Sequence, residues 1–493
     1  MIAKNYFIVI SILSIFLLFN GCESKDKDMT NVKEYEGQSI ELIVPKLAGK
    51  TIRGPFLTEV KEFENKTGAI VNIVTPSWSQ TIQKTQESFE DENINYDIFV
   101  SISSWSGKLL SNNHIEELPQ WVKDKLDWED VLPIYKKNVL SWNNKIYGIP
   151  YDGDCINLYY RKDIFENKSY QERFKKEFGY ELAVPKTWKE YEEVAKFFNA
   201  WDWDGDGEIE YGIAGSRLKG YGTMLQFFTR AAAYAKHPNN KGFYFNPENM
   251  KPNINNPAFI KALDEYISIM RYTPKEILNF SPGSVRDSFI SGEVAMAIDW
   301  ANIGTMSINS DISVVKDKVG YAVLPGNENV YNYETNRWEE FYNNVSSISG
   351  NWTMFVNKES KNKKLAFEFA SYMGSKSMTS KLTTLGWTGV NPSRYSHFDN
   401  YKDLVNMGFK EQDAKEYLAT IKESLNNKNV MVDIRIPGAT RYYNIISKYI
   451  DLAIKKEYTT KEALNRASIE WDILTDKLGR EKQIAFYKAS INN

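Results

Sequence analysis

Hydrophobic and polar positions along the chain switch repeatedly between a strand-like and a helical spacing. Residues 40–44 form a short apolar run of strand length. Leu57, Val60 and Phe63 then recur at helical spacing behind Pro55 and stop at Gly68, which predicts a helix ended by glycine. Residues 69–74 read as a second strand, 80–91 as a polar helix and 96–100 as a third strand. This β-α-β-α-β alternation predicts a largely parallel sheet covered by helices, with ligands bound beyond the carboxyl ends of its strands. Those ends carry Trp78 and the loop 101–105 with Trp105.

Residues 147–165 break that rhythm. Pro150 cannot donate to a strand ladder, and Asp152, Gly153 and Asp154 follow before the apolar run 155–160. The stretch reads as a crossover between two lobes, its carboxylates facing the cleft between them. Farther on, Thr187 and Glu190 form a capping box, with Tyr191, Val194, Ala195 and Phe198 as the buried stripe behind it. Residues 294–298 form a strand that ends in Asp299-Trp300-Ala301-Asn302. The polar and aromatic stretch 327–343 reads as a surface excursion. Ser360 is placed to cap a helix with Leu365, Phe369 and Tyr372 inward and Gly374 at its end. Thr459 and Glu462 open a last helix whose stripe is Leu464, Ala467, Trp471, Leu474 and Leu478.

A chain of 493 residues exceeds one hydrophobic core, so at least two domains are expected. A net charge of −3 without a dense Lys/Arg block argues against a nucleic-acid surface. The amino terminus carries Lys4 and then an almost wholly apolar run, 6–19, of signal-peptide length. Gly21-Cys22 follows and resembles a bacterial lipobox, in which Cys22 would be acylated and anchor the chain to a membrane. The charged residues after it read as a solvated tether. Cys155 is then the only other cysteine, which excludes an intramolecular disulfide in the processed chain, and its apolar neighbours predict a buried thiol.

Two constellations carry chemistry. Asp202, Asp204, Asp206, Glu208 and Glu210 follow the D-x-D-x-D-G spacing of a calcium loop, where alternate carboxylates converge on one cation and Gly207 permits the turn. Ile213 stands where an EF-hand has its twelfth-position glutamate, so Glu210 or a distant acid must close a structural Ca2+ site. The second constellation is dispersed. Trp78, Trp105, Tyr151, Trp300, Trp352, Trp387 and Tyr443 lie at strand ends or beside Gly, Asn or Pro. Aromatic faces there suit sugar rings, with carboxylates and amides for the hydroxyls. Each is also an ordinary core candidate, and Asp152 and Asp154 are equally well placed as turn residues. Enzyme signatures are scarce: His114, His237 and His397 lack metal-ligand spacing, and no G-x-S-x-G occurs. Asp152 and Asp154 remain candidates for a glycosidase pair.

Taken in order, Tyr147-Gly-Ile-Pro150, Leu158-Tyr-Tyr160, Asp163-Ile-Phe165, Pro185-Lys-Thr-Trp188, Phe289-Ile-Ser-Gly-Glu-Val-Ala-Met296, Leu324-Pro-Gly326 and Ile436-Pro-Gly438 resemble the family-1 extracellular solute-binding proteins. These are the maltose-binding-protein-like carbohydrate receptors of ABC importers. The resemblance implies a type II periplasmic-binding-protein fold, with two α/β lobes of mixed, mostly parallel sheets joined by a multi-crossing hinge. It puts the signal peptide at 1–21, the tether at 22–37, lobe one at 38–149 with 350–388, and lobe two at 150–349 with 389–490. It implies no catalysis, a monomer, a carbohydrate ligand and ABC permease subunits as partners. It favours Asp154 over Asp152 as a ligand-binding acid, and adds Asp299, Trp300, Asn302 and Tyr443 to the cleft. A secreted glycoside hydrolase and a glycan-binding surface receptor are the competing readings.

Overall fold

The structure is a computed structural model that describes residues 33–47, 50–91 and 95–491. Cys22 and the apolar leader lie outside these residues. In chain order the first strands are β1 (Ser39–Ile43), β2 (Ile70–Val74) and β3 (Ile98–Ser101). The small hairpin β4 (Ser141–Trp142) and β5 (Lys145–Ile146) follows, then β6 (Gly148–Pro150). Next come β7 (Ile156–Arg161), β8 (Tyr211–Gly215), β9 (Val294–Trp300) and β10 (Val319–Ala322). The hairpin β11 (Asn327–Asn332) and β12 (Arg337–Asn343) precedes β13 (Ser346–Ile348), β14 (Thr353–Val356) and β15 (Val430–Val432).

These strands build two principal sheets. Lobe one has the order β2-β1-β3-β14-β6, with β1, β2 and β3 parallel. Lobe two has the order β15-β13-β7-β9-β8, with β10 also pairing β7. The chain changes sheet between Pro150 and Ile156, and again between Ile348 and Thr353. It passes a third time after the helix Lys376–Thr384, near Asn391, before reaching β15. Trp300 pairs with Ile156 and Ser101 with Thr353. The carboxyl ends of β3 and β9 therefore both arrive at the crossings.

Local sequence accounts for most elements. The helix Arg53–Thr67 buries Phe56, Val60 and Phe63 and ends at Gly68, whose φ of 77° is the left-handed conformation glycine tolerates. Both capping boxes form, Thr187 with Glu190 and Thr459 with Glu462. The stretch 327–343 is a β-hairpin. Its Val330, Tyr331 and Asn332 are buried, while Trp338 and Tyr342 remain exposed.

Three local expectations need correction. Ser360 lies ahead of its helix, which runs Lys363–Met373: its hydroxyl donates to Asp97 of lobe one and accepts from Asn362 N–H, in the turn before the helix. The tether is shorter than expected: Tyr35 is buried and its N–H donates to Thr67 O, which pins the chain to lobe one before β1. The last helix is two, Thr460–Leu478 and Arg480–Ile491, broken at Gly479 with φ 88°. With Tyr487 still packed against Phe245 of lobe two at 5.5 Å, the second of these also reaches lobe one. It packs on the helix Ser103–Ser111 and on β4 of lobe one, where Asn143 N–H donates to Ala489 O and the Trp142 and Phe486 rings approach to 6.3 Å.

Candidate functional site

The first crossing carries Asp152 and Asp154, only 3% and 5% exposed. Asp152 Oδ1 accepts from Asn391 N–H at 2.7 Å, and Asp152 N–H donates to Trp352 O. Asp154 Oδ1 accepts from Asn391 Nδ2 at 2.6 Å, and Oδ2 from Asn351 N–H at 3.1 Å. Gly153 N–H donates to Asn391 O. One D-G-D segment thus bonds both other crossings, through Asn351-Trp352 and through Asn391. Burial raises the pKa of both carboxyls; the Asp152 charge raises that of Asp154 further, while Asp154 lowers that of Asp152. The expectation that these acids face the cleft is corrected: they are bonded into the hinge. That placement also fits poorly with a glycosidase pair, which needs room for a substrate between its carboxyls.

Next to this knot, Asp433 ties the lobes together. It accepts from Ser103 Oγ of lobe one at 3.3 Å, from Ser349 Oγ at 2.5 Å and from Gly350 N–H at 3.1 Å. Nothing in its sequence neighbourhood marked Asp433, since all three donors are distant in the chain. Asn351 and Asn391 were equally hidden, although an Asn-Pro step at 391–392 is a turn signal.

The aromatic candidates divide into two groups. Trp78, Trp105 and Trp352 come together at the carboxyl ends of β2 and β3 beside the second crossing. Their ring centroids are 4.3 Å apart for Trp78 and Trp105, and 6.1 and 6.3 Å from each to Trp352. Trp300, at the end of β9, donates Nε1–H to Ser349 O at 2.7 Å and carries the Arg286 guanidinium 5.7 Å from its ring. Arg286 is ion-paired with Asp299, whose pKa burial raises and the guanidinium lowers. Arg286 went unnoticed in the sequence. Asn302 opens the short helix Asn302–Ser307 just beyond. Trp387 is 44% exposed and sits against Gly54, on the lobe-one side.

Two aromatic expectations are corrected. Tyr151 is fully buried in the lobe-one core, 4.8 Å from Phe56, with its hydroxyl donating to Ile52 O. Tyr443 is buried in lobe two against Phe228, and its hydroxyl accepts from Ile434 N–H. In both, the ring is needed by the core and the hydroxyl by the backbone. Cys155 is buried as expected, with its thiol pushed up to about 12 by desolvation.

Asp202, Asp204, Asp206 and Glu210 can bring one oxygen each to within 4.8 Å of one another, and Glu208 stays outside this group. Glu210 is buried and accepts from Trp203 N–H at 2.8 Å. Its pKa is raised by burial and by the three aspartates.

Two α/β lobes with ligand-accessible strand ends meeting at a hinge describe a receptor architecture. The family model for bacterial extracellular solute-binding proteins matches residues 48–379. The chain belongs to this family. The family comprises extracytoplasmic receptors rather than enzymes. No helix among the described residues is long and apolar enough to cross a membrane. The solute-binding protein is 22% identical, over 74% of each chain, to a probable amino-acid ABC transporter periplasmic-binding protein of Sinorhizobium fredii. Its fold matches an ABC transporter solute-binding protein of Agrobacterium radiobacter in complex with ribitol. The TM-score is 0.71 at 21% identity, covering 90% of this chain and 100% of that one. It also matches a maltose-bound T. maritima MalE protein, with TM-score 0.67 at 20% identity and coverage of 88% and 99%.

Proposed function

We propose that this solute-binding protein is the receptor subunit of an ABC importer and captures a carbohydrate in the cleft between its lobes. The observation that carries this reading is the indole cluster at the carboxyl ends of β2 and β3, with Trp78 and Trp105 partly exposed and Trp352 buried beside them. Indole faces stack on the C–H faces of pyranose rings, a use that apolar or zwitterionic solutes do not demand. Trp300, Asn302 and the Arg286–Asp299 pair supply polar edges from lobe two, and Trp387 stands at the rim. Two solved neighbours with the same fold hold ribitol and maltose, which supports a polyhydroxylated ligand. Lobe closure would then present the loaded form to the permease; hinge closure of periplasmic binding proteins is a standard case of this motion.

The test is a thermal-shift screen against monosaccharides, oligosaccharides, polyols and amino acids. A ligand present at a thousandfold its Kd stabilises by about 4 kcal/mol. Saccharide or polyol hits that vanish in Trp105→Ala support the reading. Hits confined to amino acids, in keeping with the name of the S. fredii relative, replace it.

We further propose that Asp202, Asp204, Asp206 and Glu210 hold a structural Ca2+, and that Cys22 is the lipid-anchored residue. Four oxygens around one point, one from a buried glutamate, fit a hard cation. Chelation should lower the melting temperature in wild type and leave Asp204→Asn unaffected. Equal melting curves with and without chelator remove the metal. Cys22→Ala should release the protein from membranes; retention there would refute the lipid anchor.

A further inference from the structure

The hinge contains a polar contact that its hydrogen-bond donors do not explain. Asp152 and Asp154, two residues apart and both buried, bond the same residue, Asn391, at 2.7 and 2.6 Å. Three of their four carboxyl oxygens accept from Asn391 or Asn351. The fourth, Asp152 Oδ2, is buried and receives no donor from any other residue. A buried acceptor without a donor, beside a second buried carboxyl, calls for a proton on the pair, since two bare carboxylates cannot share such a site. The titratable groups that feel the pair are Tyr135, Tyr151 and Cys155, two phenols and a thiol, each pushed upward by burial and by the pair's charge. Among the described residues no Lys, Arg or His side chain bonds either carboxyl.

We propose that Asp152 and Asp154 hold one proton between them, and that this proton lets both acids of the first crossing stay buried against the second and third, a latch on the hinge. The bond runs from one carboxyl O–H to the other's oxygen, with Asp152 Oδ2 at one end. It leaves the pair with a single negative charge, solvated by Asn391 N–H, Asn391 Nδ2 and Asn351 N–H. Removing the proton places two charges side by side and pushes the first crossing away from the second and third. The latch is a property of the hinge alone, so it stands or falls independently of which solute the cleft binds.

The sign of the pH dependence follows. Both carboxyls have folded pKa values above their unfolded ones, so the folded state holds the extra proton. The stabilisation is complete below the unfolded value and is lost as pH rises through the folded one. In Asp152→Asn the amide nitrogen replaces Oδ2 and donates to Asp154 permanently, Oδ1 still accepts from Asn391 N–H, and the latch no longer titrates. The full chain is melted between about pH 5 and pH 8 in wild type and Asp152→Asn, alongside infrared titration of the wild type. The expected result is a carboxylic-acid band in the wild type near neutrality that disappears with base and is absent from the variant. The wild-type unfolding constant should also rise relative to the variant's by up to about tenfold per pH unit across the window. Absence of the acid band, or parallel stability curves, would overturn the proposal. If Asp152→Asn does not fold, the wild-type infrared titration decides independently.

Discussion

The clearest energetic test lies at Arg435, where the carboxyl-terminal helix meets lobe one. The guanidinium is fully buried. One nitrogen donates to Asn138 O and, at 3.4 Å, to Ser490 O; the other donates to Ser141 O at 2.6 Å. Arg435 thus joins the segment after β15 to two lobe-one carbonyls and to the end of the last helix. Replacing it with methionine keeps the stem and removes every donor. Two short charge-assisted bonds are worth about 1.5–3 kcal/mol each, or about 3–6 together, and the long third adds little. Burying an arginine opposes this, as its pKa, pushed down to about 10 by desolvation, records. If that opposition takes about half, Arg435→Met should cost about 1.5–3 kcal/mol. The assay is urea denaturation, combined with hydrogen exchange at Asn143, whose N–H is held by Ala489 O. The expected outcome is a lower midpoint together with faster exchange at Asn143. A stability change within about 0.5 kcal/mol and unaltered Asn143 protection would refute the claim that this helix is fastened to lobe one through Arg435.

Gly153→Ala should destabilise by about 1–3 kcal/mol in equilibrium unfolding, because its Cβ would lie 2.5 Å from Pro392 C and 2.8 Å from Ser393 N, setting the first crossing against the third. His397 is buried, with Nδ1 accepting from Ser393 N–H and Nε2 facing Thr379 Oγ1 at 3.1 Å, and desolvation followed by Arg394 pushes its pKa down to about 3. A group depressed in the fold contributes stability above its unfolded pKa that is lost on acidification. His397→Asn should therefore remove a slope of about 1.4 kcal/mol per pH unit from wild-type stability between about pH 6.5 and pH 3; equal slopes in the two proteins would count against it.

Features settled by near neighbours were legible in the sequence. Both capping boxes, the glycine stop at Gly68 and the strands of lobe one follow from spacing alone. Features settled by distant partners were not. Tyr151 looked like a cleft aromatic because it follows Pro150, yet Ile52 O claims its hydroxyl. Ser360 looked like a cap, yet its hydroxyl donates to Asp97 and accepts from Asn362 N–H ahead of the helix. Asp152 and Asp154 were recognised as important, but their direction was set by Asn391, more than two hundred residues away. The apolar stripe after Thr459 runs smoothly to Leu478 and hid the turn at Gly479, since periodicity reports which face is buried and not against which lobe.

The two ends of the described chain share a destination. Tyr35 secures the entering segment to lobe one, and the helix Arg480–Ile491 returns to lobe one after the whole of lobe two has been built. Whatever grips the polypeptide upstream of Lys33 therefore grips lobe one, which behaves as the stator of the molecule. Lobe two is the rotor, and its swing is geared at the entering side by the D-G-D knot and at the far side by Arg435. A tug on the upstream chain loads the first lobe directly and reaches the second through the joints between the lobes, the D-G-D knot, Asp433 and Arg435 among them.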